Sequence, residues 1–591
     1  MNFGVSSLLS AYKSGEITPA EVIRETYRCI RERGERPVWI TVVPEEKSLA
    51  RAESLGRFRE DLPLYGIPFA IKDNIDLADV PTTAGCPEFT YTPARSANVV
   101  ERLIQAGAVP VGKTNLDQFA TGLVGVRSPY GACSSVFNDR YISGGSSSGS
   151  AVSVASGLVS FALGTDTAGS GRVPAAFNGI VGMKPTRGAV STAGVVPACR
   201  TLDCISIFAL NCADCDAVFR VVRGFDADDH WSRRPAQLRS WPRSGFRFGV
   251  PSARMLRFFG DDSAAGLFED AIRRLRDLGG EPVEIDYSAF EETAKLLYSG
   301  PWVAERLEAI RNFADSHPGA LHPITAKIIL GARDLAAADA FAGMYRLESL
   351  KRAAEREWQR MDYLLVPTAG ACYTHEQIAE EPIALNTNLG YYTNFVNLLD
   401  LAAVAVPAGV RSNGLPFGVS LIGPAWSDFA LLGTADQLHG AYTGFGAMPQ
   451  PYCPEGYVPL AVCGAHLTGQ PLNYQLRDAR AFLIESTFTS PEYRLFALSG
   501  TNPAKPGLLL EPERGSSIEV EVWAIPQSSF GGFVAAVPPP LAIGSCTLAS
   551  GRRVKSFVCE PIGFSNATDI THLGGWRAYV RSSTSIDKVL V

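Results

Sequence analysis

The chain has 591 residues, 46% of them hydrophobic and 19% charged, a composition typical of a globular protein with two or three domains. Its formal net charge of −6 argues against a binding surface for nucleic acid or for an anionic membrane. The first turns carry Lys13 and Glu16 instead of an apolar signal segment, and the longest apolar run, residues 399–410, is too short to span a bilayer. We therefore expect a cytoplasmic protein.

The cysteines and histidines give no sign of a cofactor. The twelve cysteines are scattered at about the background rate and form no disulfide framework. Cys212 and Cys215 form a CxxC pair that could be half of a metal or redox site. Neither a second pair nor a histidine cluster lies nearby, which favours two apolar positions on a helix. The seven histidines are widely spaced, so we predict neither a metal nor another cofactor.

The N-terminal part predicts a helix followed by a strand. Thr18 can cap the helix, Pro19 occupies its first position, and Glu21 completes a capping box. The apolar run 64–71 then predicts a strand that ends at Lys72.

From there on, helical stretches alternate with apolar, strand-like runs. Residues 97–107 and 150–157 predict helices, each of which is followed by a predicted strand, at 108–112 and 158–164. The same alternation recurs near 263–284 and 428–440. It predicts an α/β fold, with a mixed sheet that helices cover on both faces.

The character of the sequence changes near residue 445. Residues 448–456 are rich in proline and typical of a linker. Beyond them, residues 517–523 alternate between apolar and polar like a strand with one wet face, and 533–537 and 554–559 predict further strands. We therefore predict a first domain over 1–445, a linker over 446–465 and a smaller, β-rich α+β domain over 466–591.

Two segments rich in glycine and serine lie in the first domain, GGSSSGS at 144–150 and GTDTAGSGRVP at 164–174. Such a string is often only a flexible linker. Apolar elements flank these segments, however, and the second follows a predicted strand end, where α/β sheets place their sites. The backbone N–H groups of Thr167, Ala168 and Gly169, with that of Ser170, could converge as an oxyanion hole.

A serine nucleophile in these segments needs a base, and no histidine stands near either of them. Lys72, at the end of the first predicted strand, is the better candidate, because burial can lower the pKa of a lysine toward neutrality. The alternative is that Lys72 is a strand-end lysine held in a salt bridge.

Taken together, these motifs resemble those of the amidase signature family. The run IKDN at 71–74, the two serine segments, KPT at 184–186 and GLPFGV at 414–419 stand in the order typical of that family. The distances from Lys72 to Ser146, 74 residues, and from Ser146 to Ser170, 24 residues, are also usual for it. The resemblance covers about residues 5–440 and implies the family's fold.

The same resemblance implies a role for each of three residues. Lys72 would be the base, Ser146 the relay and Ser170 the nucleophile, with a cis peptide bond before Ser146. Gly171 departs from the pattern, because many members carry an aliphatic residue there, next to the nucleophile.

Within that family the chain resembles the allophanate hydrolases. The string GSGRVPAA at 169–176 carries this likeness, as do segments of the second domain at 466–473, 493–498, 531–534 and 556–560. The implied substrate is allophanate, a small planar carboxylated urea, whose terminal amide would be hydrolysed with release of ammonia in urea degradation. The second domain would then assist decarboxylation of the product, N-carboxycarbamate.

The resemblance also implies residues that bind the substrate. Tyr298 and Arg306 would recognise its carboxylate, since the arginine fork suits that group, and Gly122 and Arg172, the latter closer to the nucleophile, would also bind the substrate. Alternatively, Tyr298 only packs, Arg306 pairs with a neighbouring acid, and Arg172 supports its loop. In the second domain His466 could act as a general acid or base, or be structural.

Other functions stay open at this stage. A malonamide-type or biuret-type amidase, a subunit of a glutamine-dependent amidotransferase, and a scaffold without turnover would each be compatible with part of the pattern. We expect a small-molecule substrate, a homodimer and a functional partnership with a urea carboxylase, but no nucleic-acid or membrane partner.

Overall fold

The computed structural model describes residues 3–34, 37–235, 245–440, 456–549 and 552–580. The chain divides near residue 445 into two compact units. The described part of the first unit ends at residue 440, and that of the second begins at residue 456. In these ranges no helix combines the length and the apolar character that crossing a bilayer requires.

The first unit is built on one mixed sheet, which has eleven strands within the described ranges. The strands are β1 Trp39–Val42, β2 Pro68–Lys72, β3 Val109–Thr114, β4 Phe161–Asp166, β5 Val181–Lys184, β6 Cys204–Ala209, β7 Arg247–Pro251, β8 Glu281–Ile285, β9 Tyr363–Pro367, β10 Leu401–Val410 and β11 Pro416–Pro424. Their order in the sheet is β1-β3-β2-β4-β6-β5-β10-β11-β9-β7-β8. β2 is parallel to β3 and β4, and β7 is parallel to β8 and β9, whereas the other pairs are antiparallel.

Helices surround this sheet. They are α1 Val5–Ser14, α2 Pro19–Arg33, α3 Glu45–Ser54, α4 Asn98–Gln105, α5 Ser148–Ala155, α6 Val173–Phe177, α7 Cys212–Val222, α8 Asp262–Asp277, α9 Ser288–Ser299, α10 Trp302–Ser316, α11 Pro323–Leu330, α12 Ala337–Trp358, α13 His375–Glu380, α14 Ala384–Leu389, α15 Phe395–Leu398 and α16 Asp428–His439. β2, β4, β5 and β6 are buried along their whole length, so both faces of the central sheet are covered. The predicted fold class is confirmed.

The local predictions for the N-terminal half agree with the structure. Thr18 caps α2, and its hydroxyl and backbone N–H form the reciprocal capping box with Glu21. β2 ends at Lys72, and its register with β4 places Ile71 opposite Leu163. Because parallel neighbours end at the same edge of a sheet, this pairing brings Lys72 beside the end of β4.

The second unit contains two smaller sheets in its described part. Its strands are β12 Tyr457–Val462, β13 Phe482–Phe488, β14 Tyr493–Ala497, β15 Pro506–Leu510, β16 Glu519–Pro526, β17 Leu541–Thr547, β18 Arg553–Cys559 and β19 Thr568–Asp569, and its helices are α17 Asn473–Asp478 and α18 Gln527–Ala535. One sheet has the order β13-β16-β12-β18-β17 and the other β15-β14-β19. This is the predicted β-rich α+β character.

Two details of the second unit differ from the sequence prediction. The prediction of a strand at 533–537 is wrong, because residues 533–535 form the end of helix α18. A short apolar run without alternation does not distinguish a strand from a helix. The predicted linker, residues 446–465, contains β12, which pairs with β16 and β18. Residues 446–455 of that stretch lie outside the described ranges.

Candidate active site

Lys72, Ser146 and Ser170 form one buried chain of hydrogen bonds at the edge where β2 and β4 end. Lys72 Nζ donates to Ser146 Oγ at 2.8 Å and to Thr165 Oγ1 at 2.7 Å. Ser146 Oγ in turn donates to Ser170 Oγ at 2.9 Å. Lys72 and Ser146 are fully buried and Ser170 is 2% exposed. The structure thus brings together three residues that lie 74 and 24 positions apart in sequence.

The position of Ser146 depends on two glycines and an aspartate. Gly144 has a φ of 72°, in the left-handed region, and the Gly145–Ser146 peptide bond is cis, as the family resemblance implies. A Cβ at Gly145 would lie 2.2 Å from Asp117 Oδ2, so only glycine fits there. The backbone N–H of Asp117 donates to the Ser146 carbonyl at 3.1 Å. The loop before α5 is therefore anchored on Asp117.

The surroundings of Lys72 favour the neutral amine. Burial lowers the pKa of Lys72 to about 7, although the carboxylates of Asp117, Asp166 and Asp203 oppose this effect. A neutral amine has two hydrogens and one lone pair. It can therefore donate to Thr165 while accepting a hydrogen bond from Ser146, whose hydroxyl hydrogen can turn. In that form Lys72 can take up a proton near neutral pH.

The loop that carries Ser170 is organised by an internal ion pair. Asp166 accepts two hydrogen bonds from the Arg172 guanidinium, at 2.8 and 3.0 Å, and both side chains are fully buried. It also accepts the N–H groups of Gly169 and Gly171, at 2.8 and 3.0 Å. Burial by itself would raise the pKa of Asp166, but the charge and hydrogen bonds of Arg172 hold it below its usual value. These contacts favour loop support as the role of Arg172.

The unusual glycine beside Ser170, Gly171, also has a structural reason. A Cβ at Gly171 would lie 2.4 Å from Ser206 Cβ on β6. Since the neighbouring strand approaches the loop so closely, an aliphatic residue at 171 would displace it.

The backbone of this loop supplies candidate donors for an oxyanion. Among the described residues, the N–H groups of Thr167, Ala168 and Ser170 have no hydrogen-bond acceptor, whereas the N–H of Gly169 donates to Asp166. Two of the three predicted donors are thus free to bind a developing negative charge, as is the N–H of Ser170. Gly169 has a φ of 136°, which lets the loop turn there.

Arg306 and Tyr298 lie close together, and both have polar atoms without partners. Arg306 is 2% exposed; its Nη1 donates to Thr121 Oγ1 at 3.2 Å, and its guanidinium lies 5.3 Å from the Tyr298 ring centre. Within the described ranges, Arg306 Nε, Arg306 Nη2 and Tyr298 Oη are buried and have no hydrogen-bond partner. The acid next to Arg306, Glu305, is bound to Thr201 instead. A buried guanidinium with two unused donors calls for an anion.

Gly122 follows the threonine that contacts Arg306. It has a φ of 152°, and a Cβ there would lie 2.7 Å from Asp117 Oδ2. The carboxylate of Asp117 accepts the N–H groups of Gly125 and Arg127, both at 2.9 Å. Close approach of this loop to Asp117 therefore accounts for glycine at 122, and contact with a substrate stays a prediction.

Sequence reasoning missed three residues of the site. Thr165 accepts hydrogen bonds from Lys72, Asp117 anchors the loop of Ser146, and Asp203 accepts the Thr167 hydroxyl at 2.5 Å. Thr165 lies inside the quoted segment 164–174 and Asp117 precedes the serine segments, but nothing local marks their side chains as buried acceptors. Only the pairing of distant strands reveals these contacts.

In the second unit His466 lines a cavity of about 480 Å³. Its Nε2 lies 2.9 Å from Gln475 Oε1, and its ring stacks on Phe557 with the ring centres 4.9 Å apart. Burial lowers the pKa of His466, which favours a neutral ring. Since Gln475 Oε1 can only accept, Nε2 carries the hydrogen and leaves Nδ1 as an acceptor. Asp478, Asn502 and Lys505 are further polar residues that line the same cavity.

Comparison with known families matches both units. The model of the family described as Amidase matches residues 21–432, and that of the allophanate hydrolase C-terminal domain matches residues 458–581. The first match alone covers more than half of the chain.

Individual relatives extend these matches. The urea amidolyase of Saccharomyces cerevisiae is 44% identical over 92% of this chain, which spans only 31% of that protein. The urea amidolyase of Lachancea kluyveri is 43% identical over the same shares of the two chains. An allophanate hydrolase structure from Kluyveromyces lactis, 42% identical, superposes with a TM-score of 0.76 and covers 97% of this chain and 99% of its own.

Ser146→Ala tests the hydrogen-bonded chain. It removes the hydroxyl that contacts both Lys72 Nζ and Ser170 Oγ, so proton transfer from Ser170 loses its path. We expect labelling of Ser170 by a fluorophosphonate to slow by about 10²–10⁴-fold, with an unchanged circular dichroism spectrum. Ser153→Ala, which removes a different buried hydroxyl, on the following helix α5, is the control and should label normally. Near-normal labelling of Ser146→Ala would exclude the relay.

Proposed function

Because this chain belongs to the amidase family, we propose that it hydrolyses the terminal amide of allophanate, a carboxylated urea, in urea degradation. The observation that carries the substrate choice is the buried guanidinium of Arg306 with two unused donors, next to the unused hydroxyl of Tyr298. The matched C-terminal domain and the named relatives support the same choice.

The carboxylate of allophanate fits the unused groups around Arg306. Arginine stays charged at any physiological pH, and an ionised side chain in a dry site needs a counter-charge. Within the described ranges no acidic side chain forms an ion pair with Arg306, so the alternative that it pairs with a neighbouring acid has no support. A substrate carboxylate can accept from Nε and Nη2 together, and Tyr298 Oη can donate to it.

The proposed reaction begins at the serine hydroxyl. Ser170 Oγ attacks the terminal amide carbonyl while its proton passes through Ser146 to neutral Lys72. The N–H groups of the 167–170 loop stabilise the oxyanion of the tetrahedral intermediate. Protonated Lys72 then returns a proton, through Ser146, to the leaving nitrogen, and ammonia departs. Water resolves the acyl-enzyme by the same route and yields N-carboxycarbamate.

The second unit would act on that product. N-carboxycarbamate loses CO₂ once its nitrogen is protonated, so decarboxylation needs a proton donor and no cofactor. His466 and Lys505 both line the cavity of that unit, together with the acidic Asp478, and Lys505 supplies a cation for the product's carboxylates. We therefore assign His466 the proton transfer: its Nδ1 takes up a proton from solvent and passes it to the nitrogen of the product, while Nε2 stays bonded to Gln475.

The other assignments of the sequence remain predictions. Functional partnership with a urea carboxylase, homodimer assembly and a cytoplasmic location are among them. Malonamide-type and biuret-type substrates differ from allophanate in charge, and ammonia release from a panel of the three separates them.

Arg306→Ala tests recognition of the carboxylate. We expect ammonia release from allophanate to fall at least about 100-fold in kcat/KM, because the substrate charge loses its partner, while turnover of an uncharged amide changes little. Arg311→Ala, on the exposed side of α10, is the matched control. Equal losses of kcat/KM on both substrates would refute a role of Arg306 in binding the substrate carboxylate.

His466→Asn tests the second step in the full-length chain. Each allophanate should still release its first ammonia at the normal rate, since the first unit is untouched. Release of CO₂ and of the second ammonia should lag, which isotope-labelled allophanate followed by ¹³C NMR would show as accumulated N-carboxycarbamate. Unchanged CO₂ release would remove His466 from the reaction.

A further inference from the structure

The carboxylate of Asp203 joins two loops of the active site. Its Oδ1 accepts the Thr167 hydroxyl at 2.5 Å and the N–H of Cys199 at 3.1 Å, and its Oδ2 accepts the N–H of Ala198 at 2.9 Å. Asp203 is 7% exposed. Because β4 and β6 are antiparallel neighbours, this residue, just before β6, lies beside the loop that follows β4. That loop carries the nucleophile and the candidate oxyanion donors.

The segment 198–203 is also attached to α10. The backbone N–H and the hydroxyl of Thr201 donate to the Glu305 carboxylate at 2.8 and 2.7 Å. Cys199 Sγ donates to the Trp302 carbonyl at 3.5 Å. Glu305 immediately precedes Arg306, so one short segment contacts both the turn that presents Arg306 and the residue that begins the oxyanion loop.

We propose that Asp203 is a positioning residue that fixes Thr167 relative to α10. The distance between the oxyanion donors and Arg306 is then constant, and both can contact the substrate at once. The inference rests on the proposed function, because that function assigns the substrate carboxylate to Arg306. An ionised carboxylate suits this place because all three of its contacts are donors. The NH2 group of an asparagine side chain at this position would face one of these donors, and two donors form no hydrogen bond with each other.

The charge of Asp203 provides a second readout. The charged groups that face Lys72 are Asp117, Asp166, Asp203 and Arg306. The carboxylate of Asp203 opposes the lowering of the Lys72 pKa, so replacing it by an amide should lower that pKa further. The acid limb of Ser170 reactivity would then move to lower pH; this shift reports the charge of Asp203 near Lys72, whereas a loss of kcat at an unchanged KM reports its positioning role.

Asp203→Asn in the full-length chain tests the proposal. We expect kcat on allophanate to fall about 100-fold with KM changed by less than about threefold, since oxyanion contacts act in the transition state. Fluorophosphonate labelling of Ser170 should slow in parallel and its acid limb should shift downward. Asp428→Asn is the matched control, because its buried carboxylate also holds a threonine, Thr186, by its N–H and hydroxyl, at 2.7 and 2.6 Å. It should lower thermal stability and leave kcat unchanged.

Thr167→Val removes the same contact from the other side and serves as the test if Asp203→Asn does not fold. In a double-mutant cycle the two changes should be non-additive, the double variant being no slower than the slower single one. Additive losses, or a Thr167→Val variant with normal kcat, would overturn the proposal, as would an Asp203→Asn variant that behaves like Asp428→Asn. If the wild-type chain does not turn over allophanate, the proposed function fails, and the Ser170 labelling rates still decide the role of Asp203.

Discussion

Burial of the Lys72 amine is the constraint on which the rest of the site depends. Desolvation lowers its pKa to about 7, and the negative charges of Asp117, Asp166 and Asp203 oppose that shift. None of them forms an ion pair with Lys72 in the described part of the chain; the contacts of its amine are the hydroxyls of Ser146 and Thr165. A direct ion pair would hold the proton on the amine. Hydroxyl partners leave Lys72 able to accept one.

The carboxylates around the site accept hydrogen bonds from backbone N–H groups, and they also affect the pKa of Lys72. Asp166 and Asp117 each accept hydrogen bonds from several backbone N–H groups of the loop they support. Asp203 does the same for the segment before β6. Because these donors are fixed, each negative charge stays at a set position relative to Lys72. The same bonds shape the loops of Ser146 and Ser170, so the electrostatics and the geometry of the site have one origin.

The sequence predicted the parts of the site that carry local signals. The strand ending at Lys72 and the two serine segments are marked by apolar runs and glycines, and their spacing resembles one family. The contacts of Thr165, Asp117 and Asp203 depend on strands far apart in sequence, and no local pattern marks them. The strand predicted at 533–537 failed for a related reason, since a short apolar run takes its conformation from what it packs on. There, Phe533 in α18 packs against His466 and Phe557.

The central claim is that a neutral, buried lysine activates Ser170 through a second serine. The rate of Ser170 labelling by a fluorophosphonate, measured on the wild-type chain from pH 5 to pH 10, tests it most directly, because the reaction needs the base and no particular substrate. With the pKa of Lys72 at about 7, protonation below that value should suppress labelling, and the rate should rise through neutral pH to a plateau. A rate that is independent of pH across this range, or one that rises only near the ordinary pKa of lysine, about 10, would contradict the account.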